Sequence, residues 1–142
     1  MNKKFVVLLV GLPRSGKSTW AKKQGLPIIN PDSIRLALHG QRFIGLAEPF
    51  VWAICYLMIR ALLLAGHEGV IVDATNVTEK RRKPYYEMFS NDYDVFEHHC
   101  STSKEECIRR AKEWNDEEII PIIEKMANEA DFWNNEQSYS GV

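Results

Sequence analysis

The chain has 142 residues, 45% of them hydrophobic and 26% charged, with a formal net charge of −1. That length suits one compact domain that buries a core without staples, and the balance excludes a disordered tail and a domain that coats nucleic acid by bulk charge. The three cysteines, Cys55, Cys100 and Cys107, are odd in number and show no C-x-x-C spacing, so a disulfide framework or zinc ribbon is not expected and a reducing cytoplasm suits them.

Lys3-Lys4 followed by Phe5 to Val10 mimics a short export signal. Charged residues in Pro13-Arg14-Ser15-Gly16-Lys17 stand where a small, neutral cleavage region belongs, so export is not expected. The valine-rich run Phe5 to Val10, bounded by Gly11 and Pro13, reads as a buried strand. A helix should begin near Gly16 and run to about Gln24, with Gly25 as its stop. Leu26 to Ile29 is a short second strand. Asn30-Pro31-Asp32 then opens a helix, with Asn30 as N-cap, Pro31 in the first helical position and an acid in the first turn; it should end at His39-Gly40.

Gln41 to Glu48 is expected to be a loop. The apolar stretch after it is broken by Arg60 and short for a bilayer, so it predicts a buried helix from about Pro49 to Ala65, closed by Gly66, and no membrane contact. Phe50, Trp52 and Tyr56 on that helix are assigned to the core. Gly69 to Asp73 is a third strand ending in a carboxylate, Thr78 to about Ser90 a helix, and Asp94 to Cys100 a fourth strand. Ser103 with Glu106 three residues on forms a capping box for a helix ending near Asn115. A last helix, about Glu117 to Trp133, has its start kinked or delayed by Pro121 and leads into a loose polar tail, Asn134 to Val142. Strands alternating with helices imply one α/β domain with a parallel sheet and helices on both faces.

Gly11-Leu12-Pro13-Arg14-Ser15-Gly16-Lys17-Ser18 fits G-x-x-x-x-G-K-[ST] at every fixed position, after a predicted strand and before a predicted helix. Glycines let consecutive backbone N–H groups curl around phosphate oxygens at the positive end of a helix. Lys17 then brings a mobile charge to the β and γ phosphates, and the Ser18 hydroxyl ligates Mg²⁺. ATP and Mg²⁺ are therefore the expected cofactors, with Thr19 completing the nucleotide-binding run. Arg14 either faces the terminal phosphate or is solvated. Asp73, at a strand end, suits the second acidic element, holding Mg²⁺ through water or orienting a basic residue; the alternative is a cap on the next turn.

Asp32 and Arg35 are three apart, hence on one helix face, at the sheet edge where parallel α/β proteins bind ligands. The helix dipole favours Asp32 as its anion, ready to take a hydroxyl proton, with Arg35 clamping an anionic part of an acceptor. A surface ion pair is the other reading of the same spacing.

These segments, together with Asp73-Ala74-Thr75-Asn76 and Arg81-Arg82, resemble the kinase domain of phage-type polynucleotide 5′-kinases over nearly the whole chain. The resemblance implies an α/β fold, P-loop NTPase-like with about four parallel strands, and transfer of the ATP γ-phosphate to a hydroxyl. It implies Lys17 as stabiliser of the transferring phosphoryl, Asp32 as general base, Arg35 as holder of the acceptor's phosphate and Asp73 beside Arg35. Arg110 corresponds to a lid arginine closing over the ATP phosphates. The family's second lid arginine, one turn on, is replaced by Trp114, which leaves Lys112 to compensate or the clamp to be built differently. The phosphatase domain often fused to such kinases is not expected. A nucleic-acid 5′ end is the leading acceptor. A small nucleoside, nucleotide or metabolite is the second reading, and an ATP-binding switch module without transfer the third.

Lys80 to Lys83 could line a channel for a polynucleotide backbone or be a solvated helix face. Phe43 could stack on an acceptor base; packing of Phe43, Ile44 and Leu46 against the neighbouring helix is the simpler expectation. His98 and His99 are neighbours on a strand and point to opposite faces, so they do not share a metal ion.

Overall fold

In the computed structural model, residues 3–40 and 43–132 are described. Four strands form one parallel sheet: β1 (Phe5–Val10), β2 (Ile28–Ile29), β3 (Gly69–Val72) and β4 (Asp94–His99), in the order β2-β3-β1-β4. Phe5 aligns with both Gly69 and Asp94, and Ile28 with Ile71. Placing β1 between two neighbours explains why its valines and leucines run without a polar break, since Val6 to Val10 are all fully buried.

Alternation along β1 divides the core. Val6 and Leu8 point to the face covered by α3 (Glu48–Leu64) and α4 (Glu79–Phe89), where Cys55, Ile59, Leu63, Tyr85 and Phe89 meet them. Val7 and Leu9 point to the other face, against Ala21 of α1 (Lys17–Lys22) and its neighbour Trp20. Val10 and Leu12 extend into a third cluster with Cys107 and Ala111 of α5 (Lys104–Glu113) and Ile123 of α6 (Ile120–Glu129). The remaining helix, α2 (Pro31–His39), follows β2 at the sheet edge.

Local signals place the helix ends. Asn30 accepts hydrogen bonds from the backbone of Asp32 and Ser33, Pro31 opens α2, and Gly40 closes it in the left-handed region. Ser103 caps α5 through the Glu106 amide, but only half of the expected capping box forms, because the Glu106 carboxylate turns to Arg109 and Arg110. Pro121 sits in the first turn of α6, behind a 3₁₀ turn over Glu117–Ile119, so it delays that helix as expected. α6 ends at Glu129, short of the expected Trp133; the predicted tail lies outside the described residues.

Three expectations need correction. The second strand is only two residues long, because Leu26 turns in to pack against the α1 side instead of extending β2. Helix α3 is one-sided, not buried: Val51, Cys55, Ile59 and Leu63 face the sheet at four-residue spacing, while Phe50 is 69% exposed and Leu57 and Leu64 project with it. Trp52 and Tyr56 are half-buried against the core. Gly45–Leu64 is long and apolar enough to cross a membrane by length and composition, yet one face of α3 is part of the sheet core. Phe43 and Leu46 (93% exposed) do not pack on the helix, since Gly45–Ala47 forms a 3₁₀ turn that carries them outward.

Candidate active site

Strand order decides what surrounds the phosphate loop. The loop leaves the C-terminal end of β1; the segment after β3 lies on one side of it and the segment after β4 on the other. Residues 73 to 76 and, beyond them, the start of α2 therefore line one flank, and α5 the other. Parallel sheets bind ligands at this C-terminal edge.

Gly11 and Gly16 make the loop possible in different ways. A Cβ on Gly11 would lie 2.7 Å from Ser15 Oγ and 2.8 Å from the Cys100 carbonyl, so nothing larger fits. Gly16 has φ of 98°, which glycine alone takes without strain, and it launches α1. The Gly11 amide donates to the Thr75 carbonyl at 3.0 Å, and Thr102 Oγ1 donates to the Ser15 carbonyl at 2.8 Å, so both flanks fix the loop.

Lys17 is buried, and its Nζ donates to the Leu12 carbonyl at 2.7 Å and to Ser15 Oγ at 3.4 Å. Burial pushes its pKa down; Asp73, and more weakly Asp32, pull it back up. A phosphate anion entering the loop supplies the charge this ammonium lacks. Ser18 Oγ donates to Asp73 Oδ2 at 2.7 Å, and Asn30 Nδ2 donates to the same oxygen at 3.4 Å. Two hard oxygen donors so close suit Mg²⁺, which takes few protein ligands and keeps waters. Asn30 thus has two tasks, capping α2 and orienting Asp73.

Asp32 is 72% exposed, and its Oδ1 accepts from Arg35 Nη1 at 2.7 Å. Arg35 is held further by a bidentate pair to Glu48, with Nε–Oε2 at 2.9 Å and Nη2–Oε1 at 2.6 Å. The hydrogen bond from Arg35 holds the Glu48 carboxyl below the usual range, and the pair raises Arg35 in turn. Asp73 was expected beside Arg35; it is engaged by Ser18 and Asn30, and Glu48 takes the place at Arg35. Nothing local in the sequence marks Glu48, thirteen residues on and across an intervening turn. Trp52 completes the group, with the Arg35 guanidinium 5.7 Å and the Arg81 guanidinium 4.3 Å from its ring centroid.

A cavity of about 480 Å³ opens beside Ser18 and Asp73, lined also by Asn30, Ser33, Ile34 and Met58. Those α2 residues face away from Asp32 and Arg35, so the Asp32–Arg35 ion pair looks onto an open surface and not into that cavity.

On the other flank, Arg110 Nη1 donates to the Arg14 carbonyl at 3.0 Å and lies 3.9 Å from where a Gly16 Cβ would be. This puts a cation at the loop mouth. Arg14 is neither free nor aimed inward: it pairs with Asp116, and its guanidinium lies 5.1 Å from the ring centroid of Trp114, which is 53% exposed. Lys112 is exposed. In the basic run, Arg82 is buried and donates to the Asn76 carbonyl and to Asp131, so it is a structural strut and not a channel wall. Asn76 is buried in the left-handed region, with Nδ2 donating to the Leu9 carbonyl, which ties the segment after β3 to β1. His98 stacks on Trp20 and His99 bonds Glu97 and touches Phe132, on opposite faces as expected; among the described residues no group of three or more His, Cys, Asp or Glu could hold a metal. Burial pushes the Cys55 thiol up to about 11, and all three cysteines are free.

Known proteins share this fold. A chain of the Pnkp1/Rnl/Hen1 RNA repair complex superposes with a TM-score of 0.70 at 19% identity, covering 93% of this chain and 48% of its own. This chain thus spans about half the length of that relative. A gluconokinase from Sinorhizobium meliloti 1021 gives a TM-score of 0.63 at 16% identity, covering 97% of this chain and 82% of its own. The Mycobacterium tuberculosis APS kinase CysC, in complex with AMPPNP and APS, gives 0.60 at 21% identity, again covering 97% and 82%. Residues 6–128 match the family described as an AAA domain, and with the phosphate loop, its lysine and the parallel sheet all inside that span, the chain belongs to this family as a P-loop domain of kinase-like fold.

Proposed function

We propose that the protein is a phosphotransferase that moves the γ-phosphate of ATP to a hydroxyl, with the 5′-hydroxyl of a nucleic acid as the leading acceptor. One observation carries the reading: an exposed carboxylate, Asp32, is fixed at the first turn of α2 by the Asn30 cap and Arg35, at the same end of the sheet as the phosphate loop. A base so placed accepts the acceptor's proton as its oxygen approaches the γ-phosphate, while Lys17 and the loop amides neutralise charge on the transferring group. Arg110 adds charge from the opposite flank. Ser18 and Asp73 would hold Mg²⁺, which neutralises the phosphates and fixes their orientation.

The open surface in front of Asp32 supports an acceptor longer than a single metabolite. Near-neutral net charge favours instead a small acceptor, the second reading. Labelled ATP with Mg²⁺ and a panel of 5′-hydroxyl oligonucleotides, nucleosides and nucleotides separates them by which product is labelled. Asp32→Asn should lower kcat by about 10²–10⁴-fold while ATP still binds. Turnover of that variant at the parent rate would remove Asp32 from the mechanism. Tight ATP binding with no labelled product from any acceptor would leave a nucleotide-binding switch as the function.

A further inference from the structure

Helix α3 carries a surface that neither the sheet nor the proposed reaction uses. Its inward stripe, Val51, Cys55, Ile59 and Leu63, is in the core, yet its outward stripe is apolar as well. Phe50 is 69%, Leu57 68% and Leu64 74% exposed, and Ala53 and Ala61 are exposed between them. A helix on the surface of a lone domain turns polar and charged residues to water on that side. From Pro49 to Ile59 the helix has no charged residue at all. Large apolar side chains exposed in a line mark an interaction surface.

The two charges nearest the stripe are drawn off it, to opposite flanks. Glu48, at the N-terminal end, is held by Arg35 of α2. Arg60 turns toward α4, where its Nη2 donates to the Met88 carbonyl at 3.0 Å and its guanidinium lies 5.1 Å from the centroid of the Phe89 ring. It also pairs with Asp92, just beyond that helix. What faces outward is an uncharged ridge, so two identical copies can meet there without setting like charges together. A helix that lies on a bilayer instead keeps lysines and arginines along its polar face. Helix α3 has no lysine, and its one arginine is committed to α4.

The order of side-chain sizes names the occupant. Phe50, Ala53, Leu57, Ala61 and Leu64 follow one another at steps of three, four, four and three residues. Large and small alternate, and the run reads the same from either end, with Leu57 at its centre. A two-fold axis demands such a pattern, because an isologous contact that pairs residue i with j also pairs j with i. Antiparallel helices meeting at Leu57 set that residue against itself. They set Ala53 of one protomer against Ala61 of the other, and Phe50 against Leu64. The alanines let the backbones approach, and the large side chains fill the space beside them.

We propose that the outward stripe of α3 is a homodimer interface, in which two copies pack α3 on α3, antiparallel, about a two-fold axis at Leu57. A helix of 17 residues gives a seam about 25 Å long. Such a seam buries on the order of 1,000 Å² in all, the low end for a specific contact, so the dimer is a weak one.

Sedimentation equilibrium of the full chain, from about 1 to about 300 µM, tests it. The mean mass should rise from 16.4 kDa toward twice that value, with a dissociation constant on the order of 10 µM. Leu57→Asp puts two carboxylates on the axis and should weaken the dimer about 100-fold or more. An unchanged urea midpoint and ATP titration confirm that this variant is folded. Cross-linking with oxidised glutathione reads the orientation. Leu57→Cys should join to itself, whereas Ala53→Cys and Ala61→Cys should stay monomeric alone and join when mixed. The parent, whose Cys55 and Cys107 are buried, is the control. A parent that stays monomeric across the range, a dimer that Leu57→Asp leaves intact, or Ala53→Cys joining to itself each overturns the inference. So does a monomer that binds vesicles of phosphatidylcholine and phosphatidylserine and releases them in Leu57→Asp, which would give the stripe to a membrane.

Discussion

Gly11 illustrates how much of a site can depend on an atom that is not there. Its Cα faces Ser15 Oγ and the Cys100 carbonyl so closely that a methyl would displace either the loop or the segment after β4. The carbonyl belongs to backbone and cannot swing away, so Gly11→Ala should cost about 1–3 kcal/mol in overpacking. Because Ser15 lies within the phosphate cradle, ATP affinity should fall about tenfold or more in the same variant. Denaturant melts and ATP titration check both; a variant that loses stability yet binds ATP as the parent does would uncouple Gly11 from the cradle. The glycines and the lysine were legible in the sequence because a curled main chain admits few residue types. The partners of the arginines were not. Arg35–Glu48 and Arg14–Asp116 join side chains 13 and 102 residues apart, and only the folded chain brings them together.

At the level of elements, what could be read was the local chemistry of helix ends. Asn30, Pro31 and Gly40 set the limits of α2, and Thr78 and Ser90 flank α4, because caps are short-range hydrogen bonds written in consecutive residues. The burial of α3 could not be read the same way. Its apolar content told of a helix on a core but not that only one stripe would reach the sheet, which leaves Phe50, Leu57 and Leu64 outward. The Asn30 cap also has a functional edge, since it orders the turn that carries Asp32 and touches Asp73. Asn30→Ala should cost about 1 kcal/mol of stability and also raise the KM for the acceptor. Ser103→Ala, which removes the cap of α5, should cost a similar amount and leave that KM unchanged. Equal effects of the two variants on the acceptor would mean that Asp32 needs no help from its cap.

Across the whole molecule, two carboxylates tie elements that the sheet alone does not join. Glu48 links α3 to α2 through Arg35. Glu97, on the edge strand β4, accepts from Tyr86 of α4, bonds His99 and faces Arg82 at 3.7 Å. Both are held below the usual carboxylate range, Glu97 first by its hydrogen bond with His99 and Glu48 first by that from Arg35, against the opposing effect of burial. A carboxyl lowered in the folded state binds protons more readily in the unfolded chain. Its contribution is complete above the unfolded value and drains away as pH falls through the folded one. The urea midpoint should therefore hold steady from neutral pH down to about 5 and drop below about 4.3, the ordinary glutamate value. Glu97→Gln should be less stable at neutral pH by about 1–3 kcal/mol, having lost a charged acceptor shared by α4 and β4. Once the parent's Glu97 is protonated, however, the two proteins should differ little. Stability curves of parent and variant that converge toward acid would locate this part of the fold's pH dependence at Glu97; parallel curves down to pH about 3 would place it elsewhere.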